Sequence, residues 1–425
     1  MKLKAITIKI SKRKLSVSRL GILFIILTII GLVHQAGIFG GYYLTAIITS
    51  FLLFLMGAMK YALNSNKIRL FISGIWEVGV MLLIPWAVFF VHNIIIYICG
   101  HGSLVFLKSS FVQIMFTPVI LLGALGSYYI FKKNTLKYFL YAIFIHYIIV
   151  LLFQLINLGP SEFFQGSLSL IMNKGLINPF ETNSDLVLAL GLLLIYYSDN
   201  FIKKKTNEHT YGLSILVLIL LGGKRIEVLA IGAIVLALFV TQLMIEKKRN
   251  RMQFIISIVI AVLLYFFVFL VVSGMMSVFV YSYGINTMGR IKMWEYIAQF
   301  AEFSPTYMGK GYSFSNLTLE VERIWTWNGH TYGLHSDVLK VYFDLGFVMF
   351  SFWIIYNLFY LPKKIRNLFG YRIGNLFWFL TAYLFVLYVT DNCINYYATQ
   401  MMYVFIILKS IELEREYALC ARMQH

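Results

Sequence analysis

The stretch "MQFIISIVIAVLLYFFVFLVVSGMMSVFV", residues 252–280, runs for 29 positions without a charged side chain. A helix needs about 20 apolar residues to cross the roughly 30 Å hydrocarbon layer of a bilayer, and this run exceeds that. Lipid offers peptide groups no water, so a spanning segment is either a helix or a strand of a closed barrel. Barrel strands alternate apolar and polar positions, whereas this run is continuous. The reading is an all-α, polytopic integral membrane protein.

Working outward, similar runs lie at 21–38, 43–63, 71–97, 109–131, 138–158, 183–201, 209–223, 226–245, 338–361, 374–392 and 395–411, which makes twelve spans. The 425 residues, 60% of them hydrophobic, then form a single integral membrane domain, 1–425, with one large loop at 281–336. The start, "MKLKAITIKISKRKLSVSRLGILF", is basic and then apolar with no small-residue cleavage site after it, so an uncleaved first span is expected. Cys99, Cys393 and Cys420 have no metal or redox spacing.

A net charge of +18 would point to nucleic acid in a soluble chain, but here the cations sort by membrane side. With both termini cytoplasmic, "KISKRK", "NSNKIR", "FKKNTLK", "IKKK", "EKKRNR" and "LPKKIRN" all fall inside. Nine of the 36 Lys and Arg fall outside: Lys108, Lys174, Lys224, Arg225, Arg290, Lys292, Lys310, Arg323 and Lys340. This asymmetry places the protein in a cytoplasmic membrane with the 281–336 loop external, and gives no reason to expect a nucleic-acid partner.

The external groups are the candidates for chemistry. Lys224 and Arg225 follow Gly222 and Gly223 at the start of a span, where unpaired helix N–H groups and two cations together suit an anion. Snorkelling to lipid headgroups is the competing reading. Glu227, three residues on, is placed to neutralise Lys224, which leaves the planar fork of Arg225 as the better phosphate ligand. "NTMGRIKMWEYIAQFAEF", residues 286–303, has a partly helical apolar stripe and carries Arg290 into the loop. His335 sits where the loop meets the next span, followed by Asp337, Lys340 and Asp344, and a histidine there can take a proton near neutral pH. "LEVER", 319–323, reads as solvated loop, and Glu77 as an acid inside the third span. Trp325, Trp327, Tyr332, Tyr396 and Tyr397 can stack on sugar faces or anchor at the interface. No phosphate loop, nucleophile elbow or metal-ligand cluster is visible, so neither metal nor cofactor is expected.

Taken in order, "GGKRIEVLA" at 222–230, "GRIKMWEYIAQF" at 289–300, "PTYMGKGYS" at 305–313 and "LHSDVLKVYFDLGFVMF" at 334–350 resemble the Wzy-type O-antigen and capsule polymerases and the related O-antigen ligases. The matching features are a small-residue-plus-Arg span start, an R-x-x-x-W segment, a G-x-G segment and an H-N-x-x-L…G pattern, with Ser336 standing where the pattern usually carries Asn. The resemblance implies an inverting, metal-independent glycosyltransferase of the GT-C type acting on undecaprenyl-pyrophosphate-linked oligosaccharide repeats at the outer membrane face. It implies that Arg225 and Arg290, with Lys224, hold the pyrophosphate, and that His335 is the base. Asp337, Asp344, Tyr332 and Trp327 would orient it or bind sugar. The partners implied are the lipid-linked donor, the bilayer, a flippase and a chain-length regulator. A ligase transferring finished glycan to another acceptor shares this donor chemistry. A lipid-linked oligosaccharide flippase or other transporter is the reading from a different class, and the concentration of charge on one loop and one turn favours the enzyme.

Overall fold

Each of the twelve apolar segments carries a helix in the structure, a computed structural model that describes residues 6–10, 13–33, 44–62, 76–172, 184–202, 209–222, 224–285, 287, 289–324, 326–327, 330–331 and 333–423. An antiparallel pair, β1 (Ile6–Ile10) and β2 (Arg13–Val17), sets Ile6 opposite Val17. The helices follow as α1 (Arg19–Val33), α2 (Leu44–Ala62), α3 (Glu77–Ile98), α4 (Leu107–Ile114), α5 (Phe116–Phe131), α6 (Thr135–Met172), α7 (Ser184–Ile202), α8 (His209–Gly222) and α9 (Arg225–Gln242). Next come α10 (Glu246–Val272), α11 (Met275–Ser282), α12 (Arg290–Ala298) and α13 (Phe314–Glu322). A second antiparallel pair, β3 (Thr326–Trp327) and β4 (His330–Thr331), precedes α14 (Asp337–Ile355), α15 (Leu361–Phe369), α16 (Tyr371–Tyr388) and α17 (Tyr397–Met423). The fold is helical, as expected, apart from these two short hairpins.

Four described helical stretches are long and apolar enough to cross a membrane: Glu77–Ile98, Leu104–Gly166, Glu246–Val272 and Asp337–Phe369. Shorter apolar helices occupy Arg19–Leu32, Leu44–Lys60, Gly212–Gly222 and Ile226–Gln242. Two boundaries differ from the expectation for a physical reason. The segment expected to end at 158 meets Gly159 (φ 75°) and Pro160, which kink the chain, and helix resumes to Met172. The segment expected to end at 361 passes through a π-helical turn, Tyr356–Tyr360, into α15; Pro362 has no N–H for the Leu358 carbonyl, which accepts from Ser257 Oγ instead. Glu77 is exposed in the first turn of α3, at the very start of the Glu77–Ile98 stretch.

By packing the chain divides into two compact units that alternate along the sequence. The first comprises Met1–Gly79, Val119–Val228 and Tyr396–His425. In it α2 and α5 touch backbone to backbone: a Cβ on Gly57 would lie 2.6 Å from Gly126 Cα, the kind of small-residue contact by which helices associate in lipid. Asp185, buried in the first turn of α7, accepts the N–H groups of Ala398 and Thr399 at 2.7 Å each and so caps α17 from outside its own chain segment. Tyr397 is fully buried, so it is not a sugar-stacking surface.

The second unit comprises Val80–Pro118 and Leu229–Asn395. Its core is α14 and α16, the latter buried at almost every position from Ile373 to Tyr388. The "LEVER" stretch belongs largely to α13 rather than to a loop. Ser315, Thr318 and Leu319 recur at helical spacing and bury one face, while Glu320 and Glu322 are exposed.

Candidate active site

The start of α14 organises the site. Ser336 is its N-cap, with extended backbone (φ −160°, ψ 110°), and its Oγ accepts the Leu339 N–H at 3.3 Å while donating to Tyr388 O at 3.3 Å. Ser and Asn cap helices about equally well, so Ser336 performs the service an Asn would at this position. The Asp337 N–H donates to Asp391 O at 3.2 Å, and the Lys340 N–H returns to Ser336 O at 3.0 Å. Cap, first turn and the turn after α16 are thus one hydrogen-bonded assembly.

His335 immediately precedes this cap in a left-handed conformation (φ 51°), a strained state for a residue with a Cβ and one found disproportionately at functional sites. Its neighbour Leu334 is held on both sides. The Leu334 N–H donates to Asn316 Oδ1 on α13 at 3.0 Å, and the Trp294 indole N–H donates to Leu334 O at 2.9 Å. Trp294 is buried on α12 one turn after Arg290, which opens that helix behind Gly289. The R-x-x-x-W spacing therefore ties the helix carrying Arg290 to the residue beside His335, and Arg290 itself is half-buried.

Farther along α14 the "YMGKGYS" loop docks into a break in the helix. Gly346 has φ 78° and ψ −179°, which interrupts the α14 hydrogen-bond ladder and frees Asp344 O. That carbonyl accepts the N–H groups of Lys310 (3.1 Å) and Gly311 (2.9 Å), and the Phe347 N–H donates to Tyr307 O at 2.9 Å. A Cβ on Gly309 or Gly346 would strike the opposing backbone, so both positions require glycine. His92 spans the junction, with Nε2 3.1 Å from Met308 O and 3.0 Å from Leu345 O. The Tyr307 hydroxyl donates to Phe343 O at 2.8 Å. Burial first, and then nearby Asp344, push its phenol well above the ordinary value and keep it a neutral donor.

Between cap and break, α14 carries two carboxylates and a lysine that are essentially inaccessible. Asp344 accepts the Ser313 and Ser315 N–H groups at 2.6 and 2.9 Å, and Asp337 Oδ2 accepts the Ile394 N–H at 2.7 Å. Lys340 is 1% exposed; its Nζ lies 4.8 Å from the Tyr312 ring centre and has no hydrogen-bond acceptor among the described residues. Both carboxylates act on it electrostatically from i−3 and i+4. Asp337 and Asp344 are thus buried anchors for backbone N–H groups, beside any part in orienting His335 or binding sugar.

The remaining expected site residues are placed less fully. Arg225 opens α9 in the first unit, with its side chain outside the described residues. Half-buried Lys224 precedes it and accepts, at its carbonyl, the N–H groups of Glu227 (3.0 Å) and Val228 (3.2 Å). Tyr332 and the side chain of Trp327 lie outside the described residues, as does Trp325. Sequence reading missed the roles of Trp294, Asn316 and His92. Trp294 was legible only as the second half of a motif, and the other two act through backbone carbonyls and N–H groups that no side-chain pattern reveals.

A family model described as O-antigen ligase matches residues 210–354, from α8 through α14, and so covers Lys224, Arg225, Arg290, the docked loop and His335. No curated protein and no solved structure matches the chain. Residues 210–354 are therefore similar to the O-antigen ligases, within the O-antigen polymerase/ligase superfamily.

Proposed function

We propose that the protein is an oligosaccharide repeat-unit polymerase, joining undecaprenyl-pyrophosphate-linked repeats into O-antigen or capsular polysaccharide at the outer face of a cytoplasmic membrane. The observation that carries this reading is the hydrogen bond from Trp294 to Leu334, which couples the helix of Arg290 to the strained backbone of His335. His335 takes the proton of the acceptor hydroxyl as its oxygen attacks the anomeric carbon of the donor. The bond from that carbon to pyrophosphate breaks, and displacement from the opposite face inverts the centre. Arg225, Arg290 and Lys224 meet the charge that develops on the departing lipid pyrophosphate, a stabilisation that needs no metal ion.

In this reading the chain crosses the membrane twelve times with both termini cytoplasmic, and a flippase delivers donor to the 281–336 side, where a chain-length regulator limits the product. The distribution of basic residues supports that topology. The description of the matched family favours a second reading, a ligase that moves glycan to a different acceptor with the same donor chemistry. Purified protein reconstituted with lipid-linked repeats separates the two. A ladder of products spaced by one repeat is the expected result, and a single transfer to an added second acceptor identifies a ligase. Movement of intact donor across the vesicle bilayer with no new glycosidic bond contradicts both.

A further inference from the structure

At the far end of the α14–α15 stretch from His335, a 610 Å³ cavity opens between α10, the π-helical turn, α15 and α16. Its walls divide by chemistry. Phe254, Ile355 and Trp378 make an apolar side, whereas Gln253, Lys363 and Arg366 make a polar one, and no Asp or Glu lines it. Phe254 and Ile355 are 57% exposed on the apolar flanks of their helices, so the cavity opens toward the surface that lipid covers. A volume of this size suits a headgroup with the first part of its chains, since small-molecule sites run to about 300–1,000 Å³.

The cationic side is held in place. Arg366 donates from Nη2 to Gln253 Oε1 at 2.6 Å, and its guanidinium lies over the Tyr371 ring at 5.2 Å, with Arg249 over the same ring at 5.2 Å. Arg366 makes no ion pair within contact distance among the described residues; Glu246 acts on it electrostatically, but from outside the cavity lining. The apolar side is shaped by the π-helical turn, whose Leu358 carbonyl accepts from Ser257 Oγ at 3.3 Å, while Ser257 Oγ accepts from the Trp378 indole at 2.9 Å. A π-turn costs regular helical geometry and is frequent at functional sites.

We propose that this cavity binds one anionic glycerophospholipid, its phosphate against Arg366 and Lys363 and its chains along Phe254, Ile355 and Trp378. The charge complementarity is one-sided: a zwitterionic lipid would bring a cation toward the held Arg366 and the neighbouring Lys363, and a free anion would leave the apolar wall empty.

The test counts lipid retained by the detergent-purified full chain, by native mass spectrometry, after addition of phosphatidylglycerol, phosphatidylcholine or inorganic phosphate. One phosphatidylglycerol should bind at least tenfold more tightly than phosphatidylcholine and should resist displacement by millimolar phosphate. The double variant Lys363→Gln/Arg366→Gln should bind it about tenfold more weakly. Ile355→Trp fills the apolar side from an exposed position without touching the Arg366 contacts, and should weaken binding similarly. Lys247→Gln/Lys248→Gln, on exposed positions of α10 outside the cavity, should stay within twofold of the parent. Retention of phosphatidylglycerol at full affinity by either cavity variant, equal binding of phosphatidylcholine, or displacement by phosphate overturns the assignment. The readout is lipid retention, so it fails or succeeds separately from the proposed transfer reaction.

Discussion

Helices α10 and α14 both answer to the same apolar signal, yet they meet opposite surroundings. In the most apolar window of α10, 22% of residues are buried, against 67% in that of the stretch begun by α14. The first turns of α10 carry its cations, and beyond Arg251 it exposes Phe254, Ile258, Val262 and Phe266. Helix α14 buries Asp337, Lys340 and Asp344 within its own first two turns. Apolarity identifies what lipid sees. Charge inside such a segment marks where protein, not lipid, surrounds it, because an ion facing hydrocarbon at mid-depth costs about 2.5–3.5 kcal/mol or more.

The sharpest test of that contrast removes a cation from each helix. Lys340→Met leaves two buried carboxylates without their counter-charge and should destabilise the protein by about 3–5 kcal/mol in detergent melting, whereas exposed Lys247→Met should change it by less than about 0.5 kcal/mol. Adding Asp337→Asn to Lys340→Met should recover part of the loss. Equal effects at positions 340 and 247 would erase the distinction between the helices.

A backbone comparison comes next. Gly346→Ala forces a side chain into a left-handed conformation against the Tyr307 carbonyl and should cost about 1–3 kcal/mol or more, with the docked loop released. Ala261→Gly within α10 should cost about 1 kcal/mol with no change elsewhere. Limited proteolysis near residues 305–313 distinguishes the two, since only the first should expose that loop.

How much of this was legible in the sequence follows the same division. The helices of lipid-facing segments, α10 above all, were readable because lipid imposes one requirement, a long apolar run. Helix α13 was not, since the alternating charges of "LEVER" hid a three-residue buried stripe at 315, 318 and 319. His335, Arg290 and the G-x-G loop were readable as motifs, but the meaning of the spacing was not. That Trp294 serves Leu334, and that Gly309 faces Gly346, are facts about backbone groups brought together across 40 and 37 positions. The backbone N–H groups that reach Asp337 and Asp344 were hidden for the complementary reason: a carboxylate's place in the sequence does not reveal which distant N–H groups it accepts.

Smaller effects refine the picture. Trp294→Phe keeps the ring and deletes only the donor to Leu334 O, so it should lower turnover on the order of tenfold with little change in donor KM. A purely structural role would instead lower the melting temperature and leave the turnover of the folded fraction intact. Val262→Ala, facing lipid on α10, should alter neither stability nor turnover beyond about 0.5 kcal/mol.

The account turns on His335 as the group that accepts the proton. The direct measurement is polymer formation from lipid-linked repeats by purified His335→Ala beside His330→Ala, each at matched protein level and with donor binding measured separately. Loss of a general base costs on the order of 10² to 10⁴ in rate, so His335→Ala should bind donor and form almost no polymer, while His330→Ala, five residues earlier, stays far more active. Polymer at the parent rate from His335→Ala, or an equal loss in both variants, contradicts the assignment.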